Sequence, residues 1–197
     1  MSAAVTSRLD EVGTALLHAA DRLLADEGAA ALTVRRIAAE AGVSTMNVYS
    51  RFGGKDGVVE QLFLQGFELL AEGMRTVGVT DDPIADLRHC GEAYWQFAIE
   101  HPTLYAVMFE GVVPDFEPSP AAQAAALGTL ELLAARLRRG MDFGLLREMD
   151  AVHAAAIVWS TCHGVISLQL QHASTTPVTW QQVFADATAA VVRGLAR

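Results

Sequence analysis

The fold of this chain is decided by residues 33–55, which read TVRRIAAEAGVSTMNVYSRFGGK. Thr33 is a residue type that caps helix N-termini, and the apolar residues after it recur at three- and four-residue spacing. Gly42 can adopt the left-handed conformation in which helices commonly end, and Ser44 is a second N-cap candidate. Two short helices joined by a glycine-containing turn make a helix-turn-helix, which the segment therefore predicts.

The exposed face of the second short helix carries hydrogen-bonding, apolar and basic side chains. If Val48 packs inward, the surface residues are Thr45, Met46, Asn47, Tyr49, Ser50 and Arg51. This mixture suits base edges and phosphates. Residues 33–55 contain four basic residues and one acidic residue, whereas the whole chain has 14 basic and 23 acidic residues. Positive charge is thus concentrated where a phosphate backbone would bind, and the segment predicts contact with double-stranded DNA.

At these residues the chain resembles the TetR family of bacterial one-component regulators. The likeness lies in LTVRRIAAEAGVS, followed by Tyr49, Phe52 and Lys55 at fixed offsets before a long helix. The resemblance implies that some of these residues contact phosphates and that others lie near base edges. The phosphate set is Thr33, Tyr49 and Lys55, the base-edge set is Arg35, Thr45, Met46 and Asn47, and Ser44 and Arg51 complete the predicted DNA-binding site.

Composition sets the class of protein. A chain of 197 residues with 52% hydrophobic content and a mean hydropathy of +0.28 can bury a large core. The net charge of −9 argues against a protein that coats nucleic acid or membranes non-specifically.

Cys90 and Cys162 lack metal-ligand spacing, and no signal peptide is recognisable. We expect a cytoplasmic protein with reduced thiols and without metal or cofactor. An oxidant-sensing role and inert burial both remain open for the cysteines.

No segment shows sustained strand alternation, so we predict an all-α fold of about nine helices. A first helix begins near Ser7 and ends at Gly28. Residues 1–54 are expected to form the DNA-binding domain and residues 55–77 a connecting helix with apolar groups on two sides. Residues 78–197 are expected to form a helical bundle for ligand binding and dimerisation.

The second half contains a concentration of aromatic and methionine side chains. HPTLYAVMF at 101–109, together with Trp159, His163 and Gly164, resembles the WHG-type C-terminal domain of some TetR regulators. Rigid rings beside flexible methionines favour an apolar ligand pocket with few polar groups. The predicted lining is Phe67, Leu70, Met74, Tyr94, Trp95, Tyr105, Met108, Phe109, Leu130, Trp159 and His163. His163 shares a helical face with Trp159, where ligand contact and simple ring packing are both possible.

Residues 151–185 contain no Asp, Glu, Lys or Arg. We predict two helices here, at 150–172 and 177–195, which pair with their copies in a homodimer. A membrane span gives a similar signal, but interior His and Gln residues argue against it. Arg136, Arg138 and Arg139 precede this run. They form either a solvated helix end or a second nucleic-acid patch.

The function predicted from these features is a DNA-binding transcriptional regulator, most often a repressor in this family. It would bind a palindromic operator as a dimer and leave it when a small lipophilic or aromatic effector binds. An enzyme is a rival reading, but no nucleophile, base and orienting group fall at informative spacing, so no catalytic residues are predicted. A protein-binding adaptor with the same fold is the second rival.

Overall fold

The computed structural model describes residues 9–172 and 176–197. These residues form nine α-helices and one short 3₁₀ helix, and their only strand-like feature is an isolated bridge between Leu146 and Ala196. The helices are α1 (Glu11–Glu27), α2 (Val34–Glu40), α3 (Thr45–Phe52), α4 (Lys55–Thr76), α5 (Pro83–Glu100), α6 (Pro102–Phe109), α7 (Pro120–Asp142), α8 (Ala151–His172) and α9 (Trp180–Gly194). The predicted all-α class is confirmed.

The chain divides into two compact units. The first comprises residues up to Gln65 together with Thr103–Ser119, and the second comprises Gly66–Pro102 and Pro120–Arg197. Helix α6 therefore packs with the first unit. The division at residues 54 and 77 stays a prediction, because compactness alone does not assign a function to either part.

In the first unit, α1, α2 and α3 enclose a small core that contains the fully buried side chains of Leu16, Ile37 and Val48. The predicted caps determine where these helices begin and end. The side chain of Thr33 accepts a hydrogen bond from the backbone N–H of Arg36 at 3.3 Å, and Gly42 has φ +68°. The predicted helix-turn-helix is therefore present.

The start of α1 differs from the prediction. Ser7 lies outside the described residues, and the N-cap of α1 is Asp10, which accepts a hydrogen bond from the N–H of Gly13 at 2.8 Å. This bond satisfies one of the N–H groups that a helix start leaves unpaired.

At the junction between α3 and α4, Gly57 lies very close to the backbone of Phe52. A Cβ atom at Gly57 would lie 1.8 Å from the carbonyl oxygen of Phe52, which is far inside van der Waals contact. Gly53, with φ +73°, turns the chain between the two helices. Only glycine fits at position 57 without moving the backbone at the junction between α3 and α4.

The second unit contains α5, α7, α8, α9 and the C-terminal part of α4. Two of the three arginines near the end of α7 are used inside this unit. Arg136 donates to the backbone oxygens of Met74 and Val77, both at 2.7 Å, and Arg139 donates to Asp86 at 2.8 Å. The sequence left two alternatives for this cluster, a solvated helix end and a second nucleic-acid patch. Neither describes Arg136 and Arg139, because their hydrogen bonds hold the segment after α4 in place.

Asp86 is 3% exposed and forms the centre of that attachment. It accepts hydrogen bonds from the N–H of Thr80 at 2.9 Å and from the Thr80 hydroxyl at 2.7 Å. These bonds, together with the charge of Arg139, lower the pKa of Asp86 below its ordinary value. A buried carboxylate with this many donors remains ionised and fixes the loop before α5.

Helix α8 begins close to its predicted start, whereas α9 begins three residues later than predicted. Helix α8 begins at Ala151, next to its predicted start at residue 150, and Asp150 caps it by accepting a hydrogen bond from the N–H of His153 at 2.7 Å. The last helix was predicted from residue 177, but α9 begins at Trp180 with Thr179 as N-cap. The N–H of Val178 instead bonds to the carbonyl of Thr176 at 2.9 Å, so residues 176–178 form a turn.

Helix α8 is long and apolar enough over Ala151–Gln171 to cross a membrane by length and composition, with a mean hydropathy of 1.4. One such helix is weak evidence for a membrane span, because an apolar helix of a water-soluble protein passes the same test.

Candidate functional site

The predicted DNA-binding residues all belong to the first unit, on α2, on α3, at their N-caps and at the first residue of α4. The side chains of Thr33, Arg35, Ser44, Thr45, Met46 and Tyr49 are exposed, whereas Asn47, Arg51 and Lys55 are half-buried. Met46 is 69% exposed and Tyr49 55% exposed. Two large side chains on a helix of eight residues thus face solvent while Val48 fills the core, which is the arrangement of a contact surface.

A chain of hydrogen bonds crosses α3 and reaches the start of α1. Arg51 donates to Asp10 through Nε at 2.9 Å and Nη2 at 2.6 Å, and to Asn47 Oδ1 through Nη1 at 2.9 Å. Asn47 in turn donates through Nδ2 to the Ser44 hydroxyl at 3.1 Å. Ser44 is the N-cap of α3, but its side chain accepts from Asn47 rather than from a backbone N–H.

The bond from Arg51 lowers the pKa of Asp10 from its ordinary 3.8 to about 2, with a further contribution from the N–H of Gly13. A depressed carboxyl pKa means that the folded state favours the ionised form. The contribution of Asp10 to stability is therefore present above pH 4, and it is lost as the pH falls towards 2. We expect the ion pair to be intact throughout the neutral range.

The surroundings of residues 33–55 are less positively charged than the count of charged residues within that segment indicates. Arg36 forms a two-pronged ion pair with Glu27, with N to O distances of 2.5 and 2.7 Å, and Arg22 pairs with Glu40 at 3.0 Å. Residues 10–55 contain five basic and six acidic residues. Arg35 has no ion pair with any described residue, so it remains open to a phosphate or a base.

A cavity of about 770 Å³ lies in the second unit. Its walls come from α5, α8 and α9, with Met74 of α4 and Leu133 of α7. The rings of Trp95 and Phe184 meet in this wall with centroids 5.0 Å apart. The volume falls within the range of small-molecule sites.

Two polar side chains of the cavity wall are paired within the protein. The indole N–H of Trp159 donates to the Tyr94 hydroxyl at 3.2 Å, and the Thr188 hydroxyl donates to the backbone oxygen of Phe184 at 2.8 Å. The four charged residues that line the cavity are Asp82, Arg88, Glu92 and Arg193. An occupant would consequently meet apolar surface in most directions and charge in a few.

The structure brings part of the predicted pocket to this cavity. Met74, Tyr94, Trp95 and Trp159 line it, whereas Phe67, Leu70, Leu130 and His163 belong to the same unit without lining it. Tyr105, Met108 and Phe109 lie in the first unit, where Tyr105 is fully buried with its ring 4.9 Å from that of Phe109. The imidazole of His163 stacks on Trp159, with ring centroids 5.6 Å apart.

Helix α9 supplies a wall of the cavity that sequence reasoning assigned to dimerisation alone. Phe184, Thr188 and Val192 are four residues apart and face the cavity together. That spacing was readable from the sequence, but periodicity identifies a shared face without showing what lies against it.

Both cysteines line the cavity and are buried, at 2% exposure for Cys90 and 5% for Cys162. Burial raises the pKa of both thiols, that of Cys162 to about 12. A thiol held in its neutral form is a poor nucleophile, and buried cysteines commonly pack as small apolar side chains. The described residues contain no cluster of three or more His, Cys, Asp or Glu side chains suited to a metal ion.

Sequence and structure comparisons agree with this geometry. A family model described as "Bacterial regulatory proteins, tetR family" matches residues 16–62. A second, "Tetracyclin repressor-like, C-terminal domain", matches residues 87–191. The narrower WHG-type resemblance stays a prediction. No curated protein matches the chain.

Solved structures with the same fold cover almost the whole chain. A protein of unknown function from Rhodococcus sp. RHA1 has 22% identity and a TM-score of 0.82, covering 98% of this chain and 100% of its own. The TetR family transcriptional regulator PfmR from Thermus thermophilus has 26% identity and a TM-score of 0.74, with coverage of 92% and 99%. The fatty acid degradation regulator FadR from Bacillus halodurans has 19% identity and a TM-score of 0.81, with coverage of 96% and 100%.

The C-terminal family model covers more than half of the chain, and the N-terminal model covers the helix-turn-helix whose exposed face is described above. The chain therefore belongs to the TetR family of DNA-binding transcriptional regulators.

Proposed function

We propose that the protein is a cytoplasmic, homodimeric repressor that binds a palindromic operator and is released from it by a small lipophilic or aromatic effector. The observation that carries this proposal is the exposed face of α3, where Met46 and Tyr49 face solvent beside hydrogen-bonding side chains. Regulators of this family are typically not enzymes, and we propose no catalytic role.

The DNA-binding residues are proposed to divide into two groups. Thr33, Tyr49 and Lys55 contact phosphates and position the protein, and they carry little sequence information. Arg35, Thr45, Met46 and Asn47 lie near base edges, where amide, hydroxyl and guanidinium groups distinguish base pairs by hydrogen bonding and a thioether can contact a thymine methyl group.

Dimerisation is proposed to use the outer face of α8 together with α9. Val152 and Leu168 are each 49% exposed on α8, and Gly164 is exposed with no atom within 4 Å of where its Cβ would be. A second copy would cover these exposed side chains and space two recognition helices about one turn of DNA apart. Light scattering that shows a monomer at micromolar concentration would contradict the dimer.

The effector is proposed to occupy the 770 Å³ cavity. Because its wall is lined mainly by apolar and aromatic side chains, the ligand should be largely apolar with one or two hydrogen-bonding groups. Arg88 pairs with Glu92 at 4.0 Å and Asp82 caps α5, whereas Arg193 has no ion-pair partner among the described residues. An acceptor group on the ligand is therefore expected to meet Arg193. The relative from Bacillus halodurans is named as a regulator of fatty acid degradation, which supports the lipophilic class.

Coupling between effector and operator is proposed to use α4, which begins at Lys55 and includes Met74 in the cavity wall. The energetic requirement is modest. A ligand that prefers the non-binding conformation ~100-fold shifts the equilibrium by about 2.7 kcal/mol.

The experiment that tests the function is recovery of DNA fragments from the source genome by the purified protein, followed by sequencing. We expect a common inverted repeat in the retained fragments, and we expect Asn47→Ala to change it. Retention of fragments without any shared sequence would contradict a regulator. Retention of no fragment at any salt concentration would favour the adaptor alternative, because DNA binding through phosphate contacts strengthens as salt is lowered.

A further inference from the structure

The orientation of the Asn47 amide on the recognition helix is fixed from both ends. Its Oδ1 accepts one hydrogen bond, from Arg51 Nη1 at 2.9 Å, and its Nδ2 donates one, to the Ser44 hydroxyl at 3.1 Å. A side-chain amide has two acceptor positions and two donors, so one of each is left. One free acceptor and one free donor on the same amide are what a bidentate contact to adenine requires.

Arg51 is itself held in place from outside the helix. Asp10 Oδ1 and Oδ2 accept bonds from its Nε and Nη2 at 2.9 and 2.6 Å, across 41 positions of sequence. Asp10 is in turn anchored as the N-cap of α1, where Oδ1 also accepts from the N–H of Gly13 at 2.8 Å. The Arg51 side chain is 25% exposed, so most of its surface is committed to these contacts.

We propose that Asp10 is a positioning residue for sequence readout, which acts through Arg51 to fix the amide orientation of Asn47. The inference rests on the proposed DNA-binding function of α3. Without the carboxylate, the guanidinium loses its two-pronged partner and can leave Asn47 Oδ1. The amide can then turn over, which exchanges donor and acceptor and removes its preference for one base. Arg51 consequently contributes to selectivity through Asn47 and makes no phosphate contact of its own.

The test uses Asp10→Asn in the full chain, because Asn preserves the N-cap of α1 while removing the charge. Asp10→Ser, another good cap, is the second variant. The matched control is Glu27→Gln, which removes the carboxylate of the comparable ion pair with Arg36, a residue of α2 rather than of the recognition helix. Thermal unfolding of all variants reports whether the fold is retained.

The first measurement needs no DNA. The side-chain amide resonances of Asn47 in ¹H–¹⁵N spectra should shift in Asp10→Asn and Asp10→Ser and remain unchanged in Glu27→Gln. Unchanged Asn47 resonances in the Asp10 variants would overturn the positioning role, whatever the protein binds.

The second measurement is selection from a pool of duplexes with a randomised central segment. Asp10→Asn and Asn47→Ala should relax discrimination at the same base pair of each half-site by about fivefold or more, the lower end for one bidentate contact. The double variant should relax it no further, and Glu27→Gln should select the parent sequence. The positioning role is wrong if Asp10→Asn keeps the parent preference. It is also wrong if this variant binds every duplex more tightly with a steeper salt dependence, because Arg51 would then contact phosphates. In both cases the proposed function still stands. If the parent selects no sequence, the proposed function fails as well.

Discussion

The recognition surface, which is the exposed face of α3 together with its N-cap Ser44, and the cavity of the second unit use polar side chains in opposite ways. On the recognition surface, Ser44, Asn47 and Arg51 bond to one another while remaining partly open to solvent, so hydrogen-bonding capacity is left for a partner. In the cavity, the indole of Trp159 and the phenol of Tyr94 are paired inside an apolar wall. The difference suggests that DNA selectivity depends on the orientation of a few polar groups and that effector selectivity depends on shape.

Changes on the recognition surface should alter selectivity with little effect on stability, whereas changes in the cavity wall should alter ligand affinity and stability together. The glycine junction after α3 is the exception in the first unit, because there the backbone itself is constrained.

The largest expected effect is that of Gly57→Ala. The added methyl group would lie 1.8 Å from the Phe52 carbonyl oxygen, so the junction between α3 and α4 must move. We expect a loss of about 3 kcal/mol in the free energy of unfolding, the upper end for overpacking. Denaturant unfolding measures it, with Gly73→Ala in the same helix as control. The nearest atom to a Cβ at Gly73 is 4.0 Å away, so that change should be neutral or stabilising.

The Asn47→Ala variant should lose selectivity and keep its stability. Discrimination at one base pair per half-site should fall by about 1–3 kcal/mol, because the amide that reads it is gone. Stability should change by no more than about 0.5 kcal/mol, as for a surface position. Binding titrations with parent and single-base-variant duplexes measure the first quantity. An unchanged ranking of duplexes would show that the base-reading face lies elsewhere.

The Phe184→Leu variant should lose affinity for a ligand in the cavity. The smaller side chain alters a wall that packs on Trp95 at 5.0 Å, so affinity for a cavity ligand should fall about tenfold, or about 1.4 kcal/mol. Tryptophan fluorescence during ligand titration measures it. Phe97→Leu is the matched control, because Phe97 is buried in the same unit without lining the cavity. Equal losses in both variants would point to general destabilisation.

Thr33→Ala should cost about 1 kcal/mol of stability, because α2 loses the side-chain oxygen that accepts from the N–H of Arg36. Thr33→Ser keeps that acceptor and serves as the control. A cap that contributed nothing would leave thermal unfolding of the two variants identical.

The smallest effect concerns salt. Lys55→Ala should weaken binding to all duplexes alike and reduce the slope of log affinity against log salt concentration by about 1 for each phosphate that is no longer neutralised. Arg36→Gln should leave the slope nearly unchanged, because Glu27 already neutralises that guanidinium. A larger slope change for Arg36 than for Lys55 would reverse this assignment.

Local chemistry was readable from the sequence because it depends on near neighbours. Thr33 caps the helix that follows it, and Gly42 takes the left-handed conformation, as predicted. The bond between Asp10 and Arg51 spans 41 positions, and no periodicity or cap rule connects them. A count of charges along residues 33–55 likewise missed the partners that neutralise Arg36 and Arg51.

The cavity shows a different limit. Aromatic density identified Trp95 and Trp159 as wall residues, but it could not distinguish them from Tyr105, which is a fully buried core residue of the other unit. The face of α9 that contains Phe184 was equally compatible with a dimer interface. Periodicity specifies which side chains point the same way, and only the packed structure shows what they enclose.

The most direct test of the account is the affinity of the protein for a duplex from the retained genomic fragments, measured with and without a ligand that quenches tryptophan fluorescence. Fluorescence anisotropy of the labelled duplex gives both dissociation constants. The account predicts that saturating ligand weakens operator binding by about 100-fold, or about 2.7 kcal/mol, and that more ligand is needed for the Phe184→Leu variant. An operator affinity that stays the same when the cavity is saturated would contradict it.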